Sequence, residues 1–163
     1  MATYVLVHGA YQGGWIWKPV VERLRAAGHR VDAPTLDGCA ERKDQVRPGI
    51  TVGTHAREVA ARLFYEDLRD VVLVGTSAGG MVICLAAEQA ADRIARLVFV
   101  DALALLPGER VSDIVSRPPG QVTALTIGPT PADAEARMFA DLEPAARASA
   151  LARYTPHPIA PLQ

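Results

Sequence analysis

Cysteine occurs twice and lysine twice in these 163 residues, and acidic and basic groups cancel to a net charge of −1. Each scarcity excludes something. Cys39 stands in a polar stretch and Cys84 in a helical one, outside any C-x-x-C pair or spaced ligand set, so neither a disulfide framework nor a metal site is expected. Balanced charge offers no basic field to nucleic acid or to an acidic membrane surface, and no apolar run approaches the length that spans a bilayer. The opening Met1-Ala2-Thr3-Tyr4-Val5-Leu6-Val7 lacks a basic leader and breaks at His8-Gly9, so it reads as a buried strand instead of a signal peptide. A soluble cytoplasmic protein is expected. What the chain has in quantity is apolar surface: 50% of its residues, enough for one sizeable core and a single domain.

That apolar material is distributed in short runs. Residues 4–7, 30–33, 71–74 and 97–100 read as strands, the last two of them unbroken by polar groups. Between them lie helical spacings: 16–27, with Val20, Val21, Leu24 and Ala27 turned inward; 54–66, capped by Thr54 with Val59, Ala60, Leu63 and Phe64 inside; and 77–91. Continuous apolar strands alternating with amphipathic helices predict an α/β fold, a mostly parallel sheet covered on both faces. The polar residues 35–49 are expected as a loop over one sheet edge, with Asp37, Glu41 and Asp44 on a solvated face. Beyond Asp101 the pattern changes, because nine of the twelve prolines fall from Pro107 onward. There, 135–153 reads as a helix and 122–127 as an edge strand or a loop. Residues 1–106 thus form the N-terminal part of the core, and 107–163 a helical or irregular cap.

Gly75-Thr76-Ser77-Ala78-Gly79 sits where the third strand passes into the third helix. A serine framed by glycines at such a junction is the arrangement of a nucleophile elbow, in which the turn leaves no room for side chains two positions either side. Ser77 is the candidate nucleophile. Acyl transfer also needs donors for the developing oxyanion, and the amide of Ala78, at the positive end of a helix, is one candidate. The loop His8-Gly9-Ala10-Tyr11-Gln12-Gly13-Gly14 offers a second, Ala10, and Gly9, Tyr11 and Thr76 beside these groups are the candidate substrate contacts. The glycine-rich stretch lacks the lysine of a P-loop and does not fit G-x-G-x-x-G, which argues against nucleotide binding.

Val5-Leu6-Val7-His8-Gly9-Ala10, Gly13-Gly14-Trp15, Gly28-His29-Arg30-Val31, Gly75 to Met81 and Leu97-Val98-Phe99-Val100-Asp101-Ala102 together resemble the branch of α/β-hydrolases that holds plant methylesterases of the salicylic acid-binding type and hydroxynitrile lyases. The resemblance runs through residues 4–106. It implies an ester hydrolase without a cofactor, because esterases of this branch carry glycine where Gly9 stands and lyases a threonine. It also implies a bracing role for His8. Thr76 departs from the family's usual histidine before the nucleophile.

The base and acid of a triad follow the serine in this fold. The one histidine after Ser77 is His157, in the extended Thr155-Pro156-His157-Pro158, and it reads as a cap or surface residue. Asp101 reads as a turn cap, and His29 and His55 as solvated. The acid, the histidine and two further strands are therefore expected in sequence beyond residue 163, from a longer chain or from a second chain that completes the fold. The expected partner is a small-molecule ester; a homodimer is left open. Two alternatives stand beside the esterase: a carbon-carbon lyase on the same scaffold, and a catalytically inactive protein that binds a small ligand under the cap.

Overall fold

The computed structural model describes residues 1–116 and 120–163. Side chains of the central strands divide by parity. In β1 (Thr3–Val7) and β3 (Val71–Ser77), Val5, Val7, Val71 and Leu73 enter one core cluster, while Leu6 and Val74 enter another on the opposite face. The first cluster is closed by α2 (Val52–Tyr65) and α3 (Gly79–Gln89). The second is closed by Trp17 and by Val21 of α1 (Lys18–Ala26), with Val31 from β2 (Arg30–Asp32). These strands read as unbroken apolar runs because both of their faces are covered. With β4 (Ile94–Ala102) they form a parallel sheet in the order β2-β1-β3-β4. The α/β architecture with helices on both faces is as expected.

Several local expectations shift. Residues 14–17 form a separate 3-10 turn, and α1 starts only at Lys18, with Pro19 in its first turn where a missing N–H costs nothing. Val20 faces solvent and Val21 the core. The cap of α2 is Thr51, not Thr54: the Thr51 hydroxyl accepts from Thr54 N at 3.2 Å, and the Thr54 hydroxyl accepts from Thr51 N at 3.3 Å. The buried stripe of α2 is His55, Ala56, Val59 and Leu63, so Phe64 is 60% exposed and lies over the Arg93 guanidinium instead.

β4 differs most from a buried strand. It is the outermost strand on its side, and Val98, Phe99 and Val100 are 37, 42 and 45% exposed. Register with β3 places Phe99 on the α3 face and Val98 and Val100 on the α1 face, so both faces are bare at this edge.

After β4 comes α4 (Val111–Ile114), then a small antiparallel sheet of β5 (Gln121–Val122), β6 (Thr126–Gly128) and β7 (His157–Pro158). The strand anticipated near 122–127 is a hairpin, turned by the Thr123 hydroxyl, which accepts the amides of Leu125 and Thr126. The helix anticipated over 135–153 is broken. α5 (Pro131–Asp133) widens into a π turn, Ala134–Met138, and α6 (Pro144–Leu151) starts afresh. Proline has no N–H for a helix interior and begins α6 instead.

Candidate active site

β3 ends at Ser77 and α3 begins at Gly79, so one residue makes the turn. Ser77 has φ 49°, a left-handed conformation in which a Cβ crowds the backbone. The flanking glycines are needed for closeness: a Cβ on Gly75 would stand 2.7 Å from Gly79 O, and one on Gly79 would stand 2.7 Å from His8 O. The elbow is thereby pressed onto the end of β1, and Leu103 N donates to Ser77 O at 2.9 Å from beyond β4. The Ser77 side chain is left exposed.

Ser77, Ala78, Ala10 and Tyr11 line one cavity of about 320 Å³, roofed by cap residues such as Val111 and Ile127. Among the described residues, no turn or loop hydrogen bond takes up the amide of Ala10 or Ala78. The Gly9 amide, in contrast, donates to Gln12 Oε1 at 3.2 Å. Gly9 and Thr76 do not line this cavity. Thr76 is half-buried within β3, opposite Val100. Gly9 abuts Ser77: a Cβ there would stand 2.8 Å from Ser77 Cβ.

The loop after β1 is held by a buried histidine. Leu36 N donates to His8 Nε2 at 3.0 Å, which leaves the ring proton on Nδ1, donated to Gly9 O at 2.8 Å. This neutral ring would meet a donor with a second donor if protonated, and burial holds its pKa down to about 4. His8 does brace the loop.

The other histidines need correction. His55 is buried, not solvated; its Nε2 donates to Asp37 O at 2.9 Å, and burial lowers its pKa. His157 is neither a surface residue nor free: it is buried in β7, with Nδ1 3.4 Å from Cys39 Sγ and its ring edge-on to His55 and Tyr11. Burial pushes the Cys39 thiol up to about 12. His8, His55 and His157 share a narrow space behind Ala78 and Gly79, yet among the described residues no histidine hydrogen-bonds the Ser77 hydroxyl. His29 is half-buried, and its Nδ1 accepts from Ala2 N at 3.2 Å.

Asp37 is buried as well, where a solvated face was expected. Arg47 grips both its oxygens at 3.1 and 2.6 Å, and this hydrogen bonding holds the carboxyl below the usual carboxylate range. Glu41 and Asp44 are exposed. Asp101 is exposed at the end of β4 with φ 45°, and no ion pair joins it to a histidine among the described residues. Trp17 is buried under α1, while Trp15 packs beside Phe139 and Ala150 of the cap. Among the described residues no cluster of histidine, cysteine or carboxylate side chains is placed to hold a metal, and no helix is long and apolar enough to cross a membrane. Cap residues of the cavity, Arg137 and Met138 among them, carried no motif; only the proximity of the cap to Ser77 reveals them.

Known proteins resemble this chain in sequence and in fold. The chain is 41% identical over 129 residues to the carbendazim hydrolyzing esterase of Nocardioides sp. (strain SG-4G), a match covering 78% of this chain and 53% of that protein. It is 37% identical over 100 residues to the alpha-hydroxynitrile lyase of Arabidopsis thaliana, covering 61% of this chain and 39% of the lyase. The chain thus spans about half the length of the first relative and less of the second. Its fold superposes with a TM-score of 0.83 on an extracellular alpha/beta-hydrolase from a Paenibacillus species, described as sharing structural and functional homology with tobacco salicylic acid binding protein 2; identity is 28%, over 99% of this chain and 69% of that one. A family model matches residues 4–162, nearly the whole sequence, and the elbow at Ser77 falls within that match: the chain belongs to the alpha/beta hydrolase family.

Proposed function

We propose that this chain carries the nucleophile and oxyanion half of a serine hydrolase for carboxylic esters. The observation that carries the reading is Ser77, held at φ 49° and exposed at the head of a cavity that Ala10 and Ala78 also line. In the reaction, Ser77 Oγ bonds to the ester carbonyl carbon as its proton passes to a histidine. The carbonyl oxygen takes the negative charge and is held by the amides of Ala10 and Ala78, each worth about 3 kcal/mol in the transition state. The bond to the alcohol oxygen then breaks, the alcohol leaves with the proton, and water releases the acid from the acyl-enzyme.

The histidine and its orienting acid come, in this reading, from polypeptide that packs against β4. Its support is the bare apolar edge at Val98, Phe99 and Val100 and the relatives' greater length. Gly9 favours hydrolysis over the lyase reaction, which in the resembling family uses a threonine there: a side chain would crowd Ser77 at this separation. The test is turnover of p-nitrophenyl acetate by the protein with such polypeptide present. Ser77→Ala is expected to lower kcat by about a thousandfold or more; unchanged turnover overturns the assignment. Ligand binding with no turnover in the unaltered protein would favour the inactive binding protein.

A further inference from the structure

Charge enters the Ser77 cavity at two places among the described residues, Asp133 and Arg137. Their situations differ. The Asp133 carboxylate accepts from the Thr130 hydroxyl at 2.6 Å, and the same hydroxyl caps α5 by accepting from Asp133 N. The Arg137 side chain has no ion pair or hydrogen bond among the described residues. Arg23 and Arg96 share this, whereas Arg42, Arg47, Arg62 and Arg93 each meet a carboxylate and Arg147 is taken up by three carbonyls; of the unpartnered arginines among the described residues, Arg137 is the one that lines the Ser77 cavity.

The backbone beneath Arg137 is anchored although its side chain is exposed. It belongs to the π turn Ala134–Met138, whose first residue, Ala134, is fully buried beside Phe139. Such turns widen a helix locally and recur at functional sites. Here the turn brings Arg137 and Met138 to the cavity wall together. The remaining wall is mainly apolar, and at about 320 Å³ the cavity lies near the small end of ligand pockets.

We propose that Arg137 is a specificity-determining residue that receives a carboxylate at the end of the substrate remote from the scissile ester. The preferred substrates are then monoesters of short dicarboxylic acids, with an apolar middle against the cavity wall. A guanidinium presents a planar fork that matches a carboxylate's two oxygens. Asp133 beside it selects for a single negative charge, because a dianion such as a phosphate monoester would be repelled. The proposal rests on the reading of this cavity as the ester site.

The test separates binding from chemistry. In the 163-residue chain with Ser77→Ala, which blocks turnover, NMR titration compares monomethyl glutarate with its neutral isostere methyl 5-methylhexanoate. The anionic ester is expected to bind about fivefold more tightly, a preference that shrinks as salt is raised. Arg137→Gln is expected to bring the ratio to one, and Arg137→Lys to keep part of it. Equal binding of the two esters, no binding of either, or a preference that survives Arg137→Gln overturns the proposal. Loss of p-nitrophenyl acetate hydrolysis on Ser77→Ala measures the esterase reading separately, so either can fail alone.

Discussion

β2, at one edge of the sheet, is three residues long and ringed by charge: Arg62 holds Asp32, and Arg30 lies 3.9 Å from Glu66. β4, at the other edge, is nine residues long and exposes three consecutive apolar side chains. Short strands and charged side chains are how sheets discourage a further strand from adding. The β2 edge therefore has the build of a finished boundary, and β4 that of a strand meant to have neighbours. The loop after β1 and the elbow lie between them, at the ends of β1 and β3.

The sharpest way to break this contrast is to compare matched truncations. Leu63→Ala, on the buried face of α2 at 0% exposure, is expected to destabilise the chain by about 2–5 kcal/mol. Phe99→Ala is expected to cost less than about 1 kcal/mol, since its ring already meets water. Urea denaturation of both variants checks the pair, and equal losses would mean that β4 is covered in solution.

Acid should loosen the β2 side first. His8 is neutral in the fold with a pKa of about 4, whereas an unfolded histidine takes up its proton near 6.5. Its contribution is thus complete above about pH 6.5, falls as pH drops to about 4, and is level below that; the difference approaches about 3 kcal/mol. His55 is shifted in the same direction. Hydrogen exchange should show the amides of residues 36–40 opening before those of β4 as pH falls through this window. Simultaneous loss of protection would show that the two sides unfold as one.

Two smaller effects test the edges directly. Val98→Lys with Val100→Lys is expected to reduce self-association of the chain in sedimentation velocity, because lysine protects an open edge. A wild-type chain that stays monomeric at high concentration would show that the exposed β4 edge does not drive self-association. Arg62→Ala, on the guarded edge, is expected to change stability by less than about 1 kcal/mol, and by still less in high salt, as thermal unfolding would record.

The centre of this molecule was legible in its sequence because local rules governed it. Unbroken apolar runs marked β1 and β3, and the spacing of Gly75, Ser77 and Gly79 located the elbow. What sequence reading misjudged depends on contacts between distant positions. His157 is buried by Cys39, 118 residues away, and His55 and Asp37 by each other's segments. No periodicity reports such pairings. β4 misled in the opposite sense: its composition is that of a covered strand, and only the strand order shows it to be an edge. Within 107–163 the helix bounds were illegible because Pro144 and the π turn interrupt the helical pattern, and with them the wall that contains Arg137.

The backbone angle at Ser77 has a consequence for sequence drift. A left-handed residue bearing a Cβ is strained by roughly 1 kcal/mol or more relative to glycine. Ser77→Gly would relieve that strain and delete the hydroxyl in one step. Lineages under selection for stability alone would slide toward glycine here, so a serine at position 77 serves as a marker, readable from sequence, of which relatives still need the hydroxyl.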